Sequence, residues 1–278
     1  MKTSLPLACY EACAKIPNSP VVMYQTWKDL LFLHWEFPAE EIQKMLPENL
    51  VVDCYDGKAY VAIVPFFMVG VRPRYFPSVP FLSDFAELNL RTYVFDKRTQ
   101  IPGVWFFTLD AHQFIAVQIA QRLFGLPYFY SKFSTSKEND TYKFLCVNSH
   151  PNTARAIGNG SNEIQPHADC EPSPKNLIPA VTYFEYTPVG ILSDLVLGSL
   201  ESFLLDRYVL YNYASGCLYK GHVHHKPFQV QPVDLHAFDS ALFFWYNPKL
   251  AEFVKDVPPV NILFTPGQDV TIYWFTKI

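Results

Sequence analysis

A short segment in the first third of the chain alternates polar and apolar side chains in a way that could build a binding site. Glu87, Asn89 and Arg91 are separated by Leu88 and Leu90, so on a β-strand the polar side chains share one face. In a chain with 50% apolar and 17% charged residues, such a face meets solvent or lines a polar cavity. If the face is buried, Glu87 and Arg91 must pair with each other or meet a ligand, because an unpaired buried charge is very costly.

Histidines form the second candidate cluster, in the run Gly-His-Val-His-His at residues 221–225. On a strand, His222 and His224 would point to one face and His225 to the other. Two imidazoles can bind a metal, but a zinc site needs at least a third protein ligand and the sequence does not identify one. We therefore predict hydrogen-bonded strand histidines and no metal. The nucleotide-binding, hydrolase and zinc-protease motifs are also missing from the sequence, so we predict no cofactor.

Three other polar residues have simple structural interpretations. Asp110 precedes a helical pattern and is predicted to be an N-terminal cap. Arg207, in the run LLDRY, is predicted to form a salt bridge at the end of a helix rather than to hold a ligand. His34 lies among large apolar residues and is predicted to be a hydrogen-bonded core histidine.

The elements that must position these side chains are mostly strands. Residues 50–71 alternate like two strands joined by a tight turn at Asp56-Gly57, a strong hairpin signal. A closing hairpin is predicted over residues 261–278, turning at Pro266-Gly267. Further strands are predicted over residues 86–95, 103–111, 127–135 and 180–188, and a further hairpin over residues 209–233.

Helices are fewer than strands in this pattern. The first is predicted between Pro38 and Pro47, since proline is tolerated in a first helical turn and ends a helix at its other side. Others are predicted over residues 113–124, ending before Gly125, and over residues 197–208. Contiguous strands with closely spaced turns predict an α+β fold, whose curved, mainly antiparallel sheet closes on itself around a cavity.

Composition does not divide the chain, and we predict a single domain over residues 1–278. Residues 1–20 are predicted to be a loose lead-in. Residues 148–176 are polar and rich in Pro, Gly and Asn, which predicts a long loop, either a lid or a plain insertion.

Charge and hydropathy exclude several classes of partner. The formal net charge is −4 and the basic residues are scattered, so we predict no nucleic-acid partner. No apolar run approaches the roughly 20 residues that cross a bilayer, which predicts no membrane partner. The apolar stretch Leu5–Cys9 is too short for an export signal, and the six cysteines contain no C-x-x-C pair. We therefore predict a cytoplasmic protein with reduced thiols; its aromatic content permits a homo-oligomer without demonstrating one.

Several segments taken together resemble a known family. They are WKDLLFLHWEFPAEEIQKMLPENLVVDCYDGKAYVAIVPFFMVGVRPR, FAELNLRTYV, FFTLDA, LFGLPYFYSKF, SFLLDRYVLYN and YKGHVHHKPFQVQP. The chain resembles the YqjF-like family of uncharacterised bacterial proteins over roughly residues 24–275. That family is similar in turn to acetoacetate decarboxylase, a resemblance that implies a cone-like β-barrel with flanking helices and an internal pocket.

The same resemblance locates a lost catalytic amine. In the decarboxylases, a lysine in a Pro-Lys-Lys stretch forms a Schiff base, and the second lysine lowers the pKa of the first. Here Pro127 is followed by Tyr128 and Phe129, neither of which can form an imine. The family's pocket glutamate falls on Glu87 and its carboxylate-binding arginine falls near Lys28. The nearest replacement amine, Lys132, lies about 13 Å along the strand from Tyr128, which is too far to take over.

We therefore predict a protein that binds a small carbonyl or carboxylate compound in an internal pocket without Schiff-base decarboxylase activity. The alternative is a cofactor-independent enzyme, an isomerase or hydrolase, with Glu87 and Tyr128 as the acid–base pair. A raised Glu87 pKa would favour this alternative, whereas tight pairing with Arg91 would favour binding or a structural role. The predicted ligand-binding residues are Arg91, Lys28, Phe129 and Asn89.

Overall fold

A computed structural model describes residues 3–119, 125–148, 180–214, 216–239, 241–255 and 257–278. The strands in these ranges are β1 (Val21–Phe37), β2 (Leu50–Val52), β3 (Ala59–Pro73), β4 (Phe85–Asp96), β5 (Pro102–Ala111), β6 (Tyr128–Tyr130), β7 (Lys132–Glu138), β8 (Thr141–Asn148), β9 (Ala180–Pro188), β10 (Ser193–Asp194), β11 (Val209–Ala214), β12 (Cys217–His224), β13 (Gln229–Phe238), β14 (Asn261–Tyr273) and β15 (Thr276–Lys277). The helices are α1 (Leu7–Cys13), α2 (Ala39–Gln43), α3 (Phe114–Ile119), α4 (Leu200–Leu205), α5 (Ala241–Tyr246) and α6 (Pro248–Val254). None of these helices has both the length and the apolar character needed to span a bilayer.

Seven of the strands form a closed ring. Hydrogen-bonded neighbours run in the order β12, β11, β5, β4, β3, β1 and β14, and β14 pairs again with β12. The closing contact joins Val223 to Ile272 and His224 to Thr271. All pairs around the ring are antiparallel except β11 with β5. The predicted α+β fold, with a curved and mainly antiparallel sheet that closes on itself, is confirmed.

The ring strands are buried on both faces, so the protein has an inner and an outer core. On β1, Leu30 and Phe32 belong to the inner cluster, whereas Leu31 and Leu33 belong to the outer one. The outer core is covered by the sheet β13-β9-β8-β7, which continues from β14. Helices α5 and α6 contribute to it the buried side chains Leu242, Phe243, Leu250 and Val254. The outer core lies outside the ring, and the interior of the ring holds the site described below.

The tight turn at Asp56-Gly57 forms, but the predicted hairpin around it does not. Both residues have positive φ, +49° and +77°, as the tight hairpin turn requires. Strand β2 nevertheless pairs with β4, because both edges of β3 are already occupied by β1 and β4.

The predicted hairpin at Pro266-Gly267 is wrong. Strand β14 continues through both residues and stays in register with β1, where Lys28 lies opposite Gly267. Gly267 has φ of +124°, and a Cβ added there would lie 2.0 Å from the Trp27 carbonyl oxygen. The glycine therefore permits a close approach of two strands and does not reverse the chain.

The structure has helices in three predicted helical segments and one more in the predicted lead-in. The predicted loose lead-in contains α1, whose Tyr10 and Cys13 are buried. Helices α2, α3 and α4 lie within predicted helical segments; α4 is capped by Ser199, whose side chain accepts a hydrogen bond from the Ser202 backbone N–H. Residues 120–124 of the predicted third helix lie outside the described residues, as does the predicted loop 148–176 apart from Asn148.

A candidate ligand site inside the sheet ring

The interior of the ring contains a cavity of about 110 Å³. On this measure a single water needs at least about 10–15 Å³, so the cavity has room for several waters or a small organic molecule. Most of its wall is apolar. The polar side chains on the wall are Gln25, Trp27, Glu87, Asn89, Arg91, Tyr128, Arg207 and His225. An apolar cavity with a few convergent polar groups is the usual form of a small-molecule site.

Strand β4 supplies three of these groups, from the face that the sequence singled out. Glu87, Asn89 and Arg91 line the cavity and are only 2%, 3% and 9% exposed. Leu88 and Leu90 point to the outer core. The alternation left two alternatives for the polar face of β4, solvent or a cavity. The structure shows that this face lines the cavity.

Glu87 is hydrogen-bonded to Tyr128 at one part of the cavity. Strand β6 pairs with β5, which pairs with β4, and this arrangement brings the Tyr128 hydroxyl to Glu87. The hydroxyl donates to Glu87 Oε2 at 2.7 Å. Burial raises the Glu87 pKa to about 8, against the lowering effect of hydrogen bonds from Tyr128 and Asn89, and the charge of Asp110 raises it further. Glu87 is therefore mostly protonated at neutral pH.

Arg91 lies against aromatic rings beside the end of α4. Its guanidinium carbon is 5.3 Å from the Phe32 ring centre and 5.8 Å from that of Tyr93. Its Nη2 donates a long hydrogen bond of 3.5 Å to the Leu204 carbonyl. Among the described residues, no carboxylate forms an ion pair with Arg91.

Arg207 reaches the same cavity from just beyond α4. Its Nη1 forms a buried salt bridge of 2.7 Å with Asp53, so the predicted salt bridge is confirmed. Its Nε donates to the Phe203 carbonyl at 2.6 Å, and the Tyr10 hydroxyl also donates to Asp53. The sequence did not predict that Arg207 lines the cavity.

Four cavity-lining residues each have one buried polar side-chain atom without a hydrogen-bond partner within the described part of the protein. The atoms are Trp27 Nε1, Asn89 Oδ1, Arg91 Nε and Arg207 Nη2. An unsatisfied buried polar group costs about 1–3 kcal/mol, so native proteins rarely retain several in one place. Protein atoms cover these four groups, so a polar ligand in the cavity would reach them only after a small movement of the side chains.

Two predicted ligand-binding residues lie elsewhere. Lys28 is exposed, because it follows Trp27 on β1 and points to the opposite face. Phe129 follows Tyr128 and does not line the cavity either. Lys132, the replacement amine considered above, is exposed at the start of β7. None of the described residues that line the cavity is a lysine.

The remaining polar predictions divide between confirmation and correction. His34 is a hydrogen-bonded core histidine as predicted, with Nε2 2.8 Å from the Tyr93 hydroxyl. Asp110 is not a helix cap: it lies within β5, before α3 begins, and accepts hydrogen bonds from Ser131 Oγ at 2.7 Å and Asn148 Nδ2 at 2.8 Å.

His225 lines the cavity, and burial lowers its pKa to about 4. The described residues contain no group of three or more side chains that could hold a metal ion.

Comparison with known proteins identifies the family and the fold. Residues 24–269 match the family DUF2071, described as an uncharacterized conserved protein. The protein YqjF of Bacillus subtilis (strain 168), itself described as uncharacterized, is 32% identical over 216 residues, which cover 78% of each chain.

Solved structures with a similar fold include an acetoacetate decarboxylase, an acetoacetate decarboxylase-like enzyme and a biosynthesis enzyme. Acetoacetate decarboxylase from Legionella pneumophila subsp. pneumophila str. Philadelphia 1 has a TM-score of 0.56 at 13% identity, over 95% of this chain and 90% of that one. An acetoacetate decarboxylase-like enzyme from Sphingomonas wittichii RW1 has a TM-score of 0.56 at 12% identity, over 93% and 94%. The enduracididine biosynthesis enzyme MppR has a TM-score of 0.57 at 10% identity, over 94% and 89%. At such identities the structural likeness establishes the fold alone. The chain therefore belongs to the DUF2071 family and has an acetoacetate-decarboxylase-like α+β fold.

Proposed function

We propose that this protein binds a small carbonyl or carboxylate compound inside the sheet ring and does not form a Schiff base with it. The observation that carries the proposal is Arg91, a buried guanidinium in a largely apolar cavity with no carboxylate paired to it among the described residues. A ligand carboxylate would supply the missing charge and accept the free Nε–H. Arginine–carboxylate hydrogen bonds of this kind are among the stronger ones in proteins.

The charges around the cavity favour a ligand with a single negative charge. Arg207 is neutralised by Asp53, and Glu87 is mostly protonated at neutral pH because burial raises its pKa to about 8. Arg91 is then the one uncompensated charge among the described ionisable groups on the wall, since burial also keeps His225 neutral. A monocarboxylate would bring the sum to zero.

The groups on the wall support the proposed absence of Schiff-base chemistry. Imine formation needs an unprotonated amine, and the described lining residues include no lysine. At the position that resembles the decarboxylase lysine, Tyr128 offers a phenol that is already hydrogen-bonded to Glu87.

A cofactor-independent enzyme is the second candidate. The raised Glu87 pKa and the lack of an ion pair between Glu87 and Arg91 among the described residues are the features expected of it, and the Glu87–Tyr128 hydrogen bond supplies the acid–base pair. A carboxyl group with a pKa of about 8 is close to the value that suits acid–base catalysis near neutral pH. For this candidate, Glu87→Gln should abolish turnover and leave binding largely intact. Unchanged turnover in that variant would eliminate it.

Binding is tested by native mass spectrometry of the purified protein, followed by calorimetric titration with heptanoate. We expect a co-purified small acid or saturable heptanoate binding, weakened at least about tenfold by Arg91→Met because a charge-assisted hydrogen bond is worth about 1.5–3 kcal/mol. Arg72→Met is the matched control, because Arg72 is exposed and stacks on Tyr24. Equal weakening by both variants, or no binding to the unmodified protein, would contradict the proposal.

A further inference from the structure

The polar groups of the cavity lie towards two ends. Glu87 and Arg91 share a face of β4 and are four residues apart, which places their Cα atoms about 13 Å apart. No ion pair joins them. Their electrostatic neighbours differ as well: Asp110 is the charged group that raises the Glu87 pKa in addition to burial, whereas Arg91 adds to the effect of burial in lowering the pKa of His34.

The basic end is built around the last turn of α4 by two guanidinium groups. Arg91 and Arg207 donate to the carbonyls of consecutive residues, Leu204 and Phe203. Both also lie against the Tyr93 ring, at 5.8 and 5.1 Å from its centre. Within the described residues, each retains one buried N–H without an acceptor, at Arg91 Nε and Arg207 Nη2. Two guanidinium groups that line one cavity are suited to a carboxylate, which has two acceptor oxygens.

The other end presents a neutral carboxyl group. Tyr128 donates to Glu87 Oε2, so the proton of a protonated Glu87 is free to be donated in turn. A ligand oxygen such as a ketone would accept it. The wall also carries many apolar side chains, among them Leu30, Val64 and Phe66, which suit the hydrocarbon part of a ligand.

The spacing of the two ends limits the ligand. In a short 3-oxo acid a single methylene separates the ketone from the carboxylate, whereas the Cα atoms of Glu87 and Arg91 are about 13 Å apart, which favours a longer molecule. A seven-carbon oxo acid with its ketone near the far end is such a molecule.

We infer, on the basis of the proposed binding function, that the ligand is an elongated monocarboxylate with an acceptor oxygen several carbons from its carboxylate. Arg91 and Arg207 hold the carboxylate, and Glu87 donates to the distant oxygen. Arg207 thereby acts as a ligand-binding residue as well as a salt-bridge partner of Asp53.

The inference is tested by calorimetry on the unmodified protein with 6-oxoheptanoate, heptanoate and acetoacetate. We expect 6-oxoheptanoate to bind about five- to tenfold more tightly than heptanoate, as one additional hydrogen bond predicts, and acetoacetate to bind more weakly than both. In Glu87→Leu the ratio of the 6-oxoheptanoate and heptanoate dissociation constants should fall close to one. In Glu87→Gln the preference should persist, because the amide keeps a donor at the same place.

The possible failures are distinguishable. Equal binding of heptanoate and 6-oxoheptanoate, or tighter binding of acetoacetate, would overturn the inference while leaving the proposed carboxylate site in place. Failure of all three acids to bind would overturn the proposed function and this inference with it. Because the ligand series is measured on the unmodified protein, the test does not depend on a variant that folds.

Discussion

Replacing Glu87 by glutamine should remove a contribution to the free energy of unfolding that falls between pH 6.5 and pH 8. Burial raises the pKa of this carboxyl group from 4.5 to about 8 in the folded protein. The folded state therefore keeps a proton that the unfolded chain loses above its own pKa. The resulting stability is fully present below pH 4.5 and is lost as the pH rises towards 8.

The magnitude follows from this difference in bound protons. One proton corresponds to about 1.4 kcal/mol per pH unit. Because the folded-state carboxyl is itself half-titrated at pH 8, the Glu87 contribution to the free energy of unfolding should fall by about 1.6 kcal/mol between pH 6.5 and pH 8. The buried histidines act in the opposite sense. Burial lowers the pKa of His34 to about 3 and that of His222 and His225 to about 4, so their contribution rises with pH and still rises above 6.5, where histidines of the unfolded chain are half-protonated. These histidines are present in both the unmodified protein and Glu87→Gln, so the difference between the two proteins isolates Glu87.

The assay is urea unfolding followed by tryptophan fluorescence at several pH values across this window. We expect the unmodified protein to lose about 1.6 kcal/mol relative to Glu87→Gln across this window. Glu48→Gln is the matched control, because Glu48 is exposed, and it should behave like the unmodified protein. An unchanged slope in Glu87→Gln would show that Glu87 does not keep its proton in the folded state, and the protonation argument would be refuted.

Three further predictions concern the neighbours of Glu87 and Arg91. Tyr128→Phe removes a hydrogen bond that lowers the Glu87 pKa, so the pH at which stability stops falling should move upward in the same unfolding assay; no movement would contradict the Tyr128–Glu87 contact. Asp53→Asn leaves the buried Arg207 guanidinium unpaired and should cost about 3–5 kcal/mol in urea unfolding at pH 7, and a loss below 1 kcal/mol would contradict the buried pair. Borohydride treatment with acetoacetate should leave the intact mass unchanged, and an adduct mapped to Lys132 would show that this amine had replaced the missing one.

The polar face of β4 was predictable because it is a local property. Alternation of Glu87, Asn89 and Arg91 with leucines fixes which side chains share a face, whatever the strand pairs with. Burial of that face was not predictable, because it depends on strands that are distant in sequence. The pattern therefore left solvent and cavity as alternatives, and the closure of the ring between β12 and β14 decides between them.

The errors arise where the answer depends on partners far along the chain. Residues Trp27 and Lys28 are neighbours, so an alignment uncertain by one position assigns the wrong one to the cavity. Arg207 lines the same cavity as Arg91 because α4 packs against Tyr93 of the ring, and no local pattern predicts that they share it. The Pro266-Gly267 turn signal is genuine in isolation, but pairing of β14 with β1 keeps that segment extended.

The most direct test of the carboxylate site is a crystal structure of the protein grown with heptanoate. The account predicts one heptanoate molecule inside the ring, with its carboxylate within hydrogen-bonding distance of Arg91 Nε and Arg207 Nη2 and no covalent bond to the protein. Heptanoate bound outside the ring, or inside it with its carboxylate away from both arginines, would contradict the account.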